Sequence, residues 1–76
     1  MKILILGANG FIGNALVKKL SKNKKIQIFG MDLHNDKLEH SLYNTNFKFV
    51  KGDINIDDEW IEHHIKKCDV IIPLIA

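Results

Sequence analysis

Seventy-six residues with a net charge of +2 are enough for one small domain, because domains usually run to about 100–150 residues. A hydrophobic content of 46%, with five glycines and one proline, excludes a disordered chain. Eleven lysines against nine acidic residues, five of them between Lys18 and Lys25, read as a solvated helix end rather than a nucleic-acid surface, since no aromatic stacking pattern lies beside them.

A chain this short buries only roughly 60% of the surface its unfolded form exposes, so it is expected to be marginally stable alone. No apolar run approaches the ~20 residues of a membrane span, and the apolar start Met1–Leu6 runs straight into glycines without a cleavage site. Cys68 is the single cysteine and can form no internal disulfide. A cytoplasmic protein with no membrane or nucleic-acid partner is therefore expected.

The elements alternate along the chain. Lys2–Leu6 is a continuous leucine and isoleucine run after its first residue, the mark of a strand buried on both faces. Residues 11 to about 21 read as a helix, with Ile12, Ala15, Leu16 and Leu20 on one face. Residues 26–31 read as a second strand, and 35–43 as a short, weak helix. Residues 47–50 give a third strand. Residues 57–67 give a helix with acids at its start and Lys66 and Lys67 at its end, matching the dipole. Residues 69–75 give a fourth strand. The order β-α-β-α-β-α-β, with right-handed crossovers, predicts an α/β fold: the N-terminal half of a doubly wound parallel sheet, strand order 3-2-1-4, in one partial domain over residues 1–76.

Between the first strand and the first helix stands Gly7-Ala8-Asn9-Gly10-Phe11-Ile12-Gly13. Gly7 permits a tight turn, Gly10 lets the backbone approach a pyrophosphate, and Gly13 lets helix and strand pack closely. The helix start then offers N–H groups and partial positive charge to phosphates. A P-loop does not fit, because Asn14 and Ala15 stand where Lys and Ser or Thr are required. The bland alternative is a glycine-rich turn with no ligand.

Asp32 strengthens the dinucleotide reading. It closes the second strand, nineteen residues past Gly13, where the fingerprint places an acid about twenty residues on. Its carboxylate can accept hydrogen bonds from both hydroxyls of the adenosine ribose, and Leu33 adjoins it. The same charge repels a 2′-phosphate, and the chain has no arginine to offset it. NAD is therefore expected rather than NADP. Asp53 and Ile54 close the third strand at the same end of the sheet, where Asp53 can accept from the adenine amino group and Ile54 can pack on the ring.

These residues resemble the extended short-chain dehydrogenases that act on nucleotide sugars, the NAD-dependent epimerase/dehydratase family. The stretch Gly52-Asp53-Ile54-Asn55-Ile56 with Glu59-Trp60-Ile61-Glu62, Lys66-Lys67-Cys68-Asp69-Val70 and Pro73-Leu74 is similar to a narrower branch, the UDP-glucuronic acid decarboxylases of lipid A modification. The resemblance implies oxidation of a UDP-sugar 4-hydroxyl by NAD⁺, then loss of CO₂. It implies NAD contacts at Gly7, Gly10, Gly13, Asp32, Leu33, Asp53 and Ile54, with the backbone of Asn9, Phe11 and Ile12 near the pyrophosphate, and Leu74 to Ala76 on the nicotinamide side. It also implies that a Tyr-x-x-x-Lys pair does the proton transfers farther along. Tyr43 has Phe47 four positions on and cannot stand in, so the 76 residues are expected to be inactive by themselves. A non-catalytic NAD-sensing module and a purely structural domain remain alternatives.

The other conspicuous residues read as structural. Trp60, Ile61, His64, Ile65 and Cys68 share one helical face that suits packing on the sheet. His63 and His64 are adjacent and diverge on a helix, which argues against a metal site. Pro73 suits an edge or a strand end. Residues 70–75 are expected to present an apolar edge through which copies of the chain could pair.

Overall fold

A computed structural model describes residues 1–75. Four parallel strands form one sheet: β1 (Lys2–Leu6), β2 (Gln27–Asp32), β3 (Phe47–Lys51) and β4 (Val70–Pro73), in the order β3-β2-β1-β4. Two helices cross over, α1 (Phe11–Leu20) and α2 (Asp58–Lys67), with a single 3₁₀ turn at Asp36–Leu38. This is the doubly wound arrangement, and it is Rossmann-like.

The apolar run of β1 sorts its side chains by the period of two. Ile3 and Ile5 join Ala8, Val17, Ile28, Leu38 and Phe47 on one face. Leu4 and Leu6 join Phe29 and Met31 on the other, where Trp60, Ile61 and Cys68 pack from α2 and its end. A parallel sheet is covered on both faces, so a single buried strand contributes to two cores. Leu4, Ile5, Ile28 and Met31 have no exposed surface.

Three sequence expectations shift. The helix expected over 35–43 is only the 3₁₀ turn and its following turns. Leu38 anchors that segment in the core, and the main-chain N–H groups of Leu38, Ser41 and Asn44 donate three residues back, to Asn35, Leu38 and Ser41, the 3₁₀ and turn pattern rather than the α-helical one. The inner face of α1 consists of Gly13, Leu16, Val17 and Leu20. Ile12 and Ala15 are exposed instead, because α1 is pressed to the sheet at Gly13 and turns its first residues toward the open end. Ile65 is also exposed, since α2 inserts the neighbouring His64. Among the described residues, no helix is long and apolar enough to cross a membrane.

Polar side chains tie distant parts of the chain together. The Asn46 amide donates to the carbonyls of Ser21 and Ile26 at 3.1 and 3.0 Å, joining the end of α1 to the start of β2. Asp69 accepts the Lys2 N–H at 2.7 Å, tying β4 to the start of β1. Pro73 is the last residue of β4, at an edge of the sheet, where its missing N–H costs little.

The tightest constraint lies at Gly13. A Cβ built there would sit 2.2 Å from the Gly7 carbonyl oxygen and 2.8 Å from that of Ala8. Both obstacles are backbone and cannot swing away. Gly13→Ala is expected to cost about 3 kcal/mol or more, a large share of a small domain's stability. Chemical denaturation of the two proteins measures it.

Candidate functional site

The site begins where β1 ends. Gly7 turns the chain with φ +91°, a conformation that side chains strain to adopt. The N–H groups of Gly7 and Ala8 both donate to the Met31 carbonyl, at 2.9 and 3.3 Å, so the turn is stitched to β2. Gly10 caps α1 in extended geometry, with no side-chain cap and no acidic residue in the first turn. By helix geometry the first N–H groups of α1 lack intrahelical acceptors. The α2 start differs, since Asp58 and Glu59 occupy its first turn.

Gly7, Gly10, Phe11, Ile12, Gly13 and Leu74 line a cavity of about 200 Å³ over that helix start. A second cavity of about 170 Å³ is lined by Asp32, Leu33, Gly52, Asp53, Ile54, Asn55 and Ile75. Both lie at the carboxyl ends of the strands, the place where open α/β sheets bind ligands. The structure thus gathers Asp32, Leu33, Asp53 and Ile54 around one hollow, and the three loop glycines with Phe11, Ile12 and Leu74 around its neighbour. Ala76 lies outside the described residues.

Asp32 is half-buried at the end of β2. Its Oδ2 accepts the Asn9 N–H at 2.9 Å and its Oδ1 accepts the Leu33 N–H at 2.7 Å. Each oxygen keeps a lone pair for a further donor. The carboxylate is therefore fixed beside the glycine turn, one residue from Gly10. Asp53 is held by an Asx turn: its Oδ1 accepts the Asn55 N–H at 2.8 Å, and its own N–H donates to Asp57 Oδ2 at 2.7 Å.

Asn9 has a different job from the one its position implies. Its N–H is committed to Asp32 and is not free for a phosphate. Its side chain, 8% exposed, donates from Nδ2 to Asp36 Oδ1 at 2.9 Å and accepts the Lys37 N–H on Oδ1 at 2.8 Å. Sequence reasoning missed Asp36 because its partner is 27 residues away. The Asn9 hydrogen bond, followed by Asp36's own main-chain N–H, holds the Asp36 carboxyl below the usual carboxylate range.

On α2, the His64 ring stacks on Trp60 at 3.9 Å and meets Phe29 edge-on at 4.9 Å, with Nδ1 donating to the Trp60 carbonyl at 2.8 Å. This is packing, remote from both cavities. Burial pushes the Cys68 thiol up, away from the reactive thiolate. Among the described residues, no three His, Cys, Asp or Glu side chains gather to hold a metal.

The sequence model of the family described as Saccharopine dehydrogenase NADP binding domain matches residues 3–76. The chain belongs to that family. It is a Rossmann domain that binds a nicotinamide dinucleotide. Solved structures add detail to this saccharopine dehydrogenase-type domain. The PbgP3 protein of Burkholderia pseudomallei is 48% identical, with a TM-score of 0.93 over 99% of this chain and 25% of that one. A UDP-glucuronic acid 4-epimerase from Bacillus cereus, in complex with UDP-glucuronic acid and NAD, is 30% identical, with a TM-score of 0.89 over 100% of this chain and 26% of that one. A dTDP-glucose 4,6-dehydratase from Bacillus anthracis, in complex with NAD, is 32% identical, with a TM-score of 0.82 over 100% of this chain and 27% of that one. The domain spans about a quarter of the length of these relatives.

Two outcomes test the site. A Cβ at Gly10 meets the Gly7 carbonyl at an ordinary 3.4 Å, so Gly10→Ala should cost only about 1 kcal/mol, that of an alanine in the cap position, while lowering dinucleotide affinity. Parallel thermal melts and ligand titration read the two effects separately. The lowered Asp36 value means that this group adds stability above the ordinary carboxylate range and loses it as pH falls through its folded-state value. The stability gap between the wild type and Asp36→Ala should therefore be present at neutral pH and close in acid, as urea midpoints across pH will show.

Proposed function

We propose that this chain is the NAD-binding portion of a nucleotide-sugar oxidoreductase whose reaction is the oxidative decarboxylation of UDP-glucuronic acid to a UDP-4-keto-pentose. The observation that carries the cofactor reading is the Asp32 carboxylate, fixed by the Asn9 N–H one residue from the Gly10 turn. It accepts from the ribose hydroxyls and disfavours a 2′-phosphate, and no arginine in the chain offsets it. The family description names NADP; the local charge at this mouth decides for NAD.

The residues present fit the group. The uncapped start of α1 offers main-chain N–H groups to a diphosphate. Gly10 leaves the cavity wall without a side chain. Leu33 and Ile54 give the second hollow its apolar sides, with Asp53 at its rim for the adenine amino group. Leu74 lines the first cavity, and we assign it to the nicotinamide side. The bound nicotinamide would supply a hydride acceptor for the sugar 4-position. The chain's own work is to bind and orient it.

Support for the decarboxylase branch comes from the segment around Trp60, with a UDP-glucuronic acid enzyme among the similar structures. A second reading, epimerase or dehydratase, is supported by the two Bacillus enzymes.

Two measurements test this. Titration should give tighter binding of NAD than of NADP, and Asp32→Asn should weaken NAD about tenfold, as befits a lost hydrogen bond to a charged group; equal affinities would contradict the cofactor reading. A protein carrying this domain together with the downstream catalytic region should release CO₂ from UDP-glucuronic acid in the presence of NAD⁺. UDP-galacturonic acid without CO₂ would establish the epimerase instead.

A further inference from the structure

We propose that Asn9 is a positioning residue that sets discrimination between NAD and NADP, by locking the loop after β2 against the glycine turn; this rests on the dinucleotide reading above. Three groups of one residue act at once. The Asn9 main-chain N–H holds the Asp32 carboxylate, Nδ2 holds the Asp36 carboxylate, and Oδ1 holds the Lys37 N–H. The amide therefore grips two consecutive residues of the loop, using its donor and its acceptor together.

The consequence is electrostatic as well as mechanical. Both carboxylates are bonded to a single residue, Asp32 to the Asn9 main-chain N–H and Asp36 to its Nδ2, so the loop charge is held at a fixed offset from the one on β2. A ribose 2′-hydroxyl meets an acceptor in Asp32. A 2′-phosphate meets that carboxylate, with a second negative charge tethered one residue away through Asn9. The 3₁₀ turn has no side-chain cap of its own, and of its residues only Leu38 is buried. The bonds from Asn9 are what fix its start. Without them, the Asp32 carboxylate remains on β2, but Leu33 and Asp36 lose their fixed relation to it.

The test is the ratio of NADP to NAD dissociation constants, measured by titration on the full chain. Asn9→Ala should collapse that ratio by about tenfold, mostly through weaker NAD binding. Asp36→Ala, at an exposed position, should lower it by a smaller factor in the same direction. Asn9→Asp alone sets two carboxylates against each other and should behave like Asn9→Ala. The double variant N9D/D36N should restore the ratio, because the exchanged groups again form both bonds: the carboxylate at position 9 accepts from the amide at 36 and from the Lys37 N–H. A merely structural role would weaken both dinucleotides alike and leave the ratio unchanged. If the wild type prefers NAD and Asn9→Ala and Asp36→Ala keep the same ratio, Asn9 has no such role and the NAD reading survives. If the wild type shows no preference, the NAD reading fails first and this inference falls with it.

Discussion

The contact between the start of α1 and the turn leaving β1 governs the rest of the molecule. Gly13 lies so close to the Gly7 carbonyl that no side chain fits between them. That approach presses α1 onto the sheet through Val17, Leu16 and Leu20. It also decides which atoms face the open end of the strands: main-chain N–H groups, a bare Gly10, and the exposed Phe11 and Ile12. A packing constraint thereby becomes a binding geometry. The helix start has no capping side chain and no acid in its first turn, so an anion is its natural complement.

A second layer of organisation links that turn to β2. Gly7 and Ala8 donate to Met31, and Asn9 donates to Asp32. The glycine turn and the carboxylate at the end of β2 are therefore one hydrogen-bonded unit, with little freedom to drift apart. Asp53 and Ile54 reach the same end through a separate arrangement, the Asx turn that follows β3. The parallel sheet places all of these at the carboxyl ends of three adjacent strands, which is why Asp32 and Asp53, 21 positions apart in the chain, share a hollow.

Much of this was legible in the sequence because the signals are local. The apolar run of β1 and the spacing of Gly7, Gly10 and Gly13 specify a buried strand, a turn and a close helix without reference to distant residues. Asp32 followed from its distance along the chain. What was not legible depends on contacts across the fold. Periodicity puts Leu16 and Leu20 on the inner face of α1, where they pack, but it also favours Ile12 and Ala15, in whose place the close approach at Gly13 brings Gly13 and Val17 inward. The expected helix after Asp32 is replaced by turns whose main-chain bonds mostly reach back three residues, while the Asn9 amide ties their start to the glycine turn. Asn46 is similarly silent in the sequence, though its amide bridges Ser21 and Ile26. Asparagines that close long loops carry no local pattern by which to find them.

The family and the local chemistry answer different questions. Membership in the saccharopine dehydrogenase NADP-binding domain family names a way of holding a dinucleotide. The carboxylate beside the turn is the feature on which our proposed choice between two dinucleotides that differ by one phosphate rests. The central claim is that the N–H groups opening α1 receive the diphosphate. Amide chemical shifts recorded during addition of NAD test it most directly: those of Phe11, Ile12 and Gly13 should move together with that of Leu33, while those of Glu59 and Trp60 at the start of α2 stay in place. Perturbation centred on α2, with the α1 amides unmoved, would contradict the account.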